Sequence, residues 1–526
     1  MQSFSKEHFS QVLAQSTRLI LGLVVAWVLV VLVAYEINLI RAPFQLEYRE
    51  GSILLTTQEL LQGRNPWAPE SQPAQMNSYG IGYHLVVLPL AQLFGNSFFI
   101  HRLVSGLGLL LAAALVAFTL IRRGGSPVMA VTAGALIFAN QLFYVTPLSR
   151  PDGLGLLLFV AAAFLPWADR YSRRSLAFSA LLAVLGFFTK AYFILGGVYV
   201  AAYLLVTWRK EFWGYCLLVS ALLGVGALVT ARVFPYYFYD TFYNHMILAS
   251  RSLKFISYQS MLYGSLYAVP FLLLIVLLGQ VVWRWKWERV SFVRSILQRM
   301  DFPTFGLIGS LLVIGLSMGW HMGTLMTYYF QLITPFLVAT LVLQLRGHTR
   351  LESLANLGLI VTLFFNLTIL GINLIDGQTT PATLASIPNL GQNDWSLIRE
   401  RIGSSQKILN SPVMVGELMA QGRSVVYNGQ SDFYFFSMDD VPNFFLLPAA
   451  EDVARRGREF RQQILENVQN RSYDWIVLTK VENDVSKETE AVNDVHQFYR
   501  KVDQVVIDMP QGRQIWTLEF WAPLPR

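Results

Sequence analysis

The chain has 526 residues, of which 54% are hydrophobic and only 14% charged, with a mean hydropathy of +0.45. Soluble domains carry roughly a quarter charged residues, so the composition excludes a soluble globular protein and indicates an integral membrane protein. The net charge of +7 comes without any basic, aromatic-interleaved recognition motif, which excludes nucleic acid as the partner and leaves basic loops on one membrane face as its source. The single cysteine, Cys216, excludes a disulfide framework and a thiolate metal cluster. The polar first 17 residues and the long apolar run after them argue against a cleavable signal peptide.

Apolar runs long enough to cross a bilayer fall near 18–40, 98–121, 127–146, 153–168, 175–190, 191–207, 212–233, 261–284, 303–321, 324–345 and 353–375. A further run, 83–94, is too short for a ~30 Å core and contains Pro89. If it does not cross, then Arg122-Arg123, Arg170 to Arg174, Arg209-Lys210, Arg284 to Arg299 and Arg346 to Arg350 all lie on one side. The positive-inside rule makes that side cytoplasmic. The expectation is therefore about eleven spanning helices of a plasma (inner) membrane with a cytoplasmic N-terminus, and an 83–94 helix lying at the outer interface.

From Asp376 onward charge density rises and long apolar runs stop. Short β-rich runs (Lys407–Leu409, Ser424–Tyr427, Trp475–Thr479, Val505–Ile507 and Ile515–Phe520) alternate with helical patterns at 412–420 and 449–469. The division predicted is a transmembrane part, 1–375, with a first outer loop at 41–97, and an extracytoplasmic α/β domain, 376–526.

The first outer loop holds Glu47 and Glu50 with Arg49 between them, then an amphipathic helical stretch ending at Gly63. A carboxylate at headgroup depth can act as general base toward an alcohol. The plainer alternative is a solvated ion pair with Arg49 or Arg41. On the same side stand Arg102 at the start of the second span, Arg150 and Asp152 at the start of the fourth, and Lys190 between the fifth and sixth. Cations at such lips bind phosphate or merely snorkel, the reading that suits Arg102 best. An aromatic outer loop from Phe234 to His245, the lip at His321, and Tyr328 are belt residues or substrate surfaces. His245 and His321 are isolated, so no metal site is expected, and no nucleotide-cofactor motif is present.

Taken together, Glu47 to Glu50, Leu60 to Trp67, Tyr79 to His84, Arg102 to Ser105, Arg150 to Asp152 and Thr189-Lys190 form an order that resembles the GT-C integral-membrane glycosyltransferases of the dolichyl-phosphate-mannose protein mannosyltransferase type, glycosyltransferase family 39 and its bacterial relatives. The resemblance spans roughly 18–375. It implies transfer of a hexosyl or pentosyl group from a polyprenyl-phosphate donor, with inversion, to a lipid, glycan or protein acceptor in the cell envelope. It also implies that the first-loop acid is the base. The family's Asp-Glu pair aligns with Arg49-Glu50, which makes Glu50 the first choice and Glu47 the second. By the same likeness Lys190 and Arg150, with Arg102, hold the donor phosphate, and Asp152 orients Arg150. Tyr79, Tyr83, His84, His245, His321 and Tyr328 are further substrate-site candidates, and no cofactor is implied. The alternatives are a transporter or flippase of an anionic lipid or lipid-linked sugar, for which the break at Lys190 is the one fitting feature, and a scaffold whose outer domain binds a partner.

Overall fold

The computed structural model describes residues 6–139, 148–243, 300–320, 326–346, 349–369, 392–426, 450–481, 495–508 and 515–525, together with 385, 428 and scattered positions between 257 and 279. The protein is a polytopic α-helical membrane protein with a small C-terminal sheet. Its helices are α1 (Lys6–Arg41), α2 (Glu50–Leu61), α3 (Ile81–Phe94), α4 (Phe98–Arg122), α5 (Pro127–Phe138) and α6 (Asp152–Ala168). They continue with α7 (Arg173–Thr189), α8 (Leu195–Thr207), α9 (Arg209–Val233), α10 (Phe302–Trp320), α11 (Met326–Gln344) and α12 (Thr349–Ile369).

Among the described residues four stretches are long and apolar enough to span by themselves: Gln15–Arg41, Phe98–Arg122, Arg209–Val233 and Leu351–Thr368. Over their described residues the expected spans coincide with observed helices; most of 261–284, the end of 127–146 from 140 and the end of 353–375 from 370 lie outside the described residues. α1 starts earlier than the apolar run, because polar residues continue a helix that needs no bilayer around its first turns. Helix ends follow local chemistry. Ser172 caps α7 by accepting from the Ser175 amide at 3.2 Å, and α2 stops at Gly63, whose φ of +71° suits glycine. The 14 residues of α3 make a helix of about 21 Å, short of a hydrocarbon core.

Small residues bring α4 and α6 into backbone contact. A Cβ on Gly108 would stand 2.6 Å from the Gly153 carbonyl oxygen, and one on Gly153 would strike the Ser105 carbonyl. Such close crossing is how spanning helices associate where apolar burial gives no drive. Here it sets the start of α6, and so Arg150 and Asp152, beside the start of α4.

Among its described residues the C-terminal part contains α13 (Gln392–Ile402), α14 (Val415–Ala420), α15 (Ala450–Gln469), α16 (Val495–Phe498) and four strands: β1 (Ile408–Leu409), β2 (Trp475–Val481), β3 (Tyr499–Asp508) and β4 (Ile515–Pro523). The order is β1-β2-β4-β3, with β1 parallel to β2 and the other pairs antiparallel. The period-two alternation of β2 buries both faces. Ile476 and Leu478 cluster with Ile464 and Val468 of α15, and Val477 clusters with Trp395 and Ile398 of α13. One expected strand, 424–427, does not form over its described residues. The Val426 amide donates to the Asn410 side chain at 2.9 Å instead of joining a ladder.

Candidate active site

Two carboxylates of the first loop, three residues apart, meet opposite fates. Glu50 opens α2 and is fully enclosed. Arg102 grips it through Nε at 2.8 Å and Nη2 at 2.7 Å, with both side chains at 0% exposure. The amides of Leu46 (2.6 Å), Glu47 (3.3 Å) and Ser149 (2.7 Å) also donate to it. Burial by itself raises a carboxyl, but Arg102 and these amides override it and hold Glu50 below the ordinary glutamate range. The rest of the Arg102 guanidinium donates to the carbonyls of Leu39 (3.2 Å), Ala42 (2.6 Å) and Phe44 (2.7 Å). Arg102 therefore ties the end of α1 and the loop to α4, with no donor left over for a phosphate.

Glu47 keeps 12% of its side chain exposed. It accepts from the Arg49 amide at 3.0 Å and lies 3.3 Å from Arg150 Nη1. Burial outweighs the lowering by Arg150 and Arg49, so its carboxyl titrates above the ordinary glutamate range. Arg150 is 2% exposed, and its Nε stands 3.4 Å from Asp152. Lys190 donates to Asp152 at 2.8 Å, and Tyr192 donates to the same oxygen at 3.3 Å. Both cations flank the Tyr79 ring, with Arg150 at 5.2 Å and Lys190 at 5.3 Å from its centre. The Tyr79 hydroxyl accepts from Arg150 and, at 3.4 Å, from Arg49. The array thus sets Arg49, Arg150 and Lys190 against Glu47 and Asp152, a surplus of one positive charge, while Glu50 and Arg102 neutralise each other.

Lys190 reaches this place because the chain leaves helical geometry there. Its φ/ψ of −162°/123° is extended, between α7 and the 3-10 turn Ala191–Ile194. The Thr189 carbonyl accepts from the Gly80 amide at 3.2 Å, and a Cβ at Gly80 would strike the Phe188 carbonyl. That contact requires glycine and lays the Tyr79 segment against the Lys190 break.

Tyr83 and His84 stand behind this array as packed, bonded groups. His84 bridges Thr57 at 2.9 Å and Asn77 at 3.0 Å, and Tyr83 donates to the His101 carbonyl at 3.1 Å. His245 and His321 lie outside the described residues, as does the side chain of Tyr328, whose backbone belongs to α11. Among the described residues no group of three or more His, Cys, Asp or Glu is placed to hold a metal ion.

Sequence reasoning missed the groups that arrive from the C-terminal part. Gln45 is 1% exposed and donates to the Tyr48 carbonyl at 2.8 Å and to the Pro412 carbonyl at 3.3 Å. It also accepts from the Gly416 amide at 3.3 Å. Gly51 and Gly416 pack so closely that a Cβ on Gly51 would stand 2.7 Å from the Gly416 nitrogen. Asn428 bonds the carbonyls of Ala74 and Met76, and Arg456 bonds the Pro69 carbonyl at 3.2 Å. The C-terminal part thus covers the loop that carries Glu47. No local pattern signals contacts 367 residues apart.

Comparison with protein-family models and with curated proteins finds no match. Among solved structures the chain is similar to ArnT from Cupriavidus metallidurans in the apo state, at 13% identity and a TM-score of 0.47, over 94% of this chain and 98% of that one. It is similar to ArnT from Cupriavidus metallidurans bound to undecaprenyl phosphate at 13% identity and a TM-score of 0.46, over the same shares. At that level the likeness assigns no residue a role and no substrate to this chain.

Proposed function

We propose that this chain is a glycosyltransferase that moves a sugar from a polyprenyl-phosphate donor to an acceptor hydroxyl outside the cytoplasm, with Glu47 as the general base. The observation that carries the reading is the pairing of a partly exposed carboxylate, Glu47, with a cationic surplus of Arg49, Arg150 and Lys190 at one lip of the spanning helices. Glu47 takes the acceptor proton, the alkoxide attacks the anomeric carbon, and lipid phosphate leaves toward Arg150 and Lys190 with inversion. Asp152 aligns both cations. Glu50, saturated with donors and sealed from solvent, holds the loop in place. This reverses the order in which the resemblance ranks the two glutamates.

Purified protein incubated with radiolabelled polyprenyl-phosphate sugars and acceptors tests the reading. Glu47→Gln should lower transfer by about 10²- to 10⁴-fold while keeping the wild-type chromatographic profile. Wild-type transfer by that variant would remove Glu47 as base. Sugar crossing liposomes without covalent transfer would favour the flippase. A reporter fused at the C-terminus should be active only outside the cytoplasm.

A further inference from the structure

Behind the Tyr79 ring lies a buried polar chain that the transfer chemistry itself does not use. Thr57, Asn77 and His84 are fully enclosed, and the hydrogen bonds through them can run in one direction only. The Thr57 hydroxyl donates its proton to the Ile53 carbonyl at 3.2 Å, so it accepts from His84 Nδ1 at 2.9 Å. His84 Nε2 is then an acceptor, and the Asn77 side-chain nitrogen donates to it at 3.0 Å. With that nitrogen committed, the Asn77 side-chain oxygen faces the Tyr79 amide, which donates to it at 2.9 Å. A flipped Asn77 amide would set N–H against N–H at Tyr79 and oxygen against the Nε2 lone pair. The bond to Thr57 thus assigns the imidazole, and the imidazole assigns the orientation of Asn77.

The main chain of Asn77 is fixed as well. Its amide donates to Asp240, from the chain after α9, at 3.2 Å, and its carbonyl accepts from Trp67 Nε1 at 3.4 Å. Both backbone groups and both side-chain atoms of one buried residue are therefore engaged. Apolar side chains would fill the same space without burying polar groups, so packing alone does not call for this chain. A fully satisfied buried network rigidifies what it touches.

What it touches is Tyr79. The centre of that ring stands 5.2 Å from the Arg150 guanidinium and 5.3 Å from Lys190 Nζ, and its hydroxyl accepts from Arg150. Tyr79 is thus the spacer between two like charges, and a phosphate that bonds both cations needs that spacing held. We propose that His84 and Asn77 are positioning residues for the transfer, fixing Tyr79 so that Arg150 and Lys190 receive the donor phosphate at a set separation. The inference rests on the reading of those two cations as donor ligands.

Steady-state transfer with varied donor tests it. His84→Leu keeps the bulk but removes the acceptor for Asn77, and should raise the donor KM about tenfold while kcat changes less. His84→Gln, whose side-chain oxygen can take the place of Nε2, should bring the KM back to within about threefold of the wild type. Asn77→Ala should match His84→Leu, and stands as the test if His84→Leu does not fold. Retention of undecaprenyl phosphate in native mass spectrometry, which needs no turnover, should fall in parallel. Wild-type donor KM and lipid retention in both variants, or a loss that His84→Gln does not relieve, overturns the relay. A wild type that retains the lipid but transfers no sugar removes the glycosyltransferase reading instead, and retention by the variants then decides the relay alone. A wild type that neither retains nor transfers removes both.

Discussion

Glu47 and Glu50 show how little residue type says about residue role. Both are first-loop glutamates near Arg49, and distant partners do most to separate them, since Glu50 is held by Arg102 and Ser149, 52 and 99 residues away. Removing charge from Glu50 leaves Arg102 buried and unpaired, an arrangement worth about 3–5 kcal/mol. Glu50→Gln should therefore lower the melting temperature strongly and lose activity with the fold, whereas Glu47→Gln should lose activity alone; differential scanning fluorimetry separates the two. Glu50 also sets a pH dependence of stability. Its folded-state carboxyl titrates below the ordinary value, so its contribution is complete above that value and disappears as pH falls through the lower one. Glu47 runs the other way in activity. Its carboxyl titrates above the ordinary glutamate value, so transfer should decline with falling pH while the protein is still folded. A rate profile flat down to the ordinary glutamate range would contradict that assignment. Lys190→Gln should raise the donor KM by about tenfold, the worth of one charge-assisted contact.

Elements were far more legible than roles. Apolar length marks a spanning helix whatever packs against it, so 98–121 and 212–233 emerge as α4 and α9 almost to the residue. The strand expected at 424–427 fails because β-propensity needs an adjacent partner strand, and Val426 bonds a side chain instead. The break at Lys190 was visible as one charge in a 32-residue apolar run. Its use, turning Lys190 toward Asp152, depends on Gly80 and Tyr79, which are distant in sequence. The α4/α6 crossing makes an element-scale prediction. Gly153→Ala puts a methyl into the Ser105 carbonyl, and overpacking of this kind costs about 1–3 kcal/mol. It should reduce thermal stability and also transfer, since Arg150 and Asp152 ride on the start of α6; unchanged activity with unchanged melting would show that the helices separate freely.

For the whole molecule, composition indicated two kinds of polymer, one apolar and one charged, but not that they share a boundary at the site. The buried apolar cluster that fills the spanning helices is continuous with Trp395, Val477 and Phe520 of the C-terminal part, and Gln45 joins the two through Pro412 and Gly416. A chain ending at residue 375 should insert but transfer no sugar, with the first loop newly open to protease; limited proteolysis of the two forms provides the comparison.

The carbonyls at the end of α1 have a consequence for how the chain is made. A helix end leaves carbonyls unsatisfied; that of Leu39 accepts from the Ala42 amide at 3.2 Å and from Arg102, and those of Ala42 and Phe44, just past the helix, also accept from Arg102. During synthesis the first span therefore leaves the ribosome with an unfinished terminus, which is sealed only when the second arrives. Ser149 then completes the cage around Glu50, Lys190 follows with the break after α7, and Gly416 comes last. These contacts form in the order of translation, and a nascent chain that ends before Gly416 carries the arrangement incomplete.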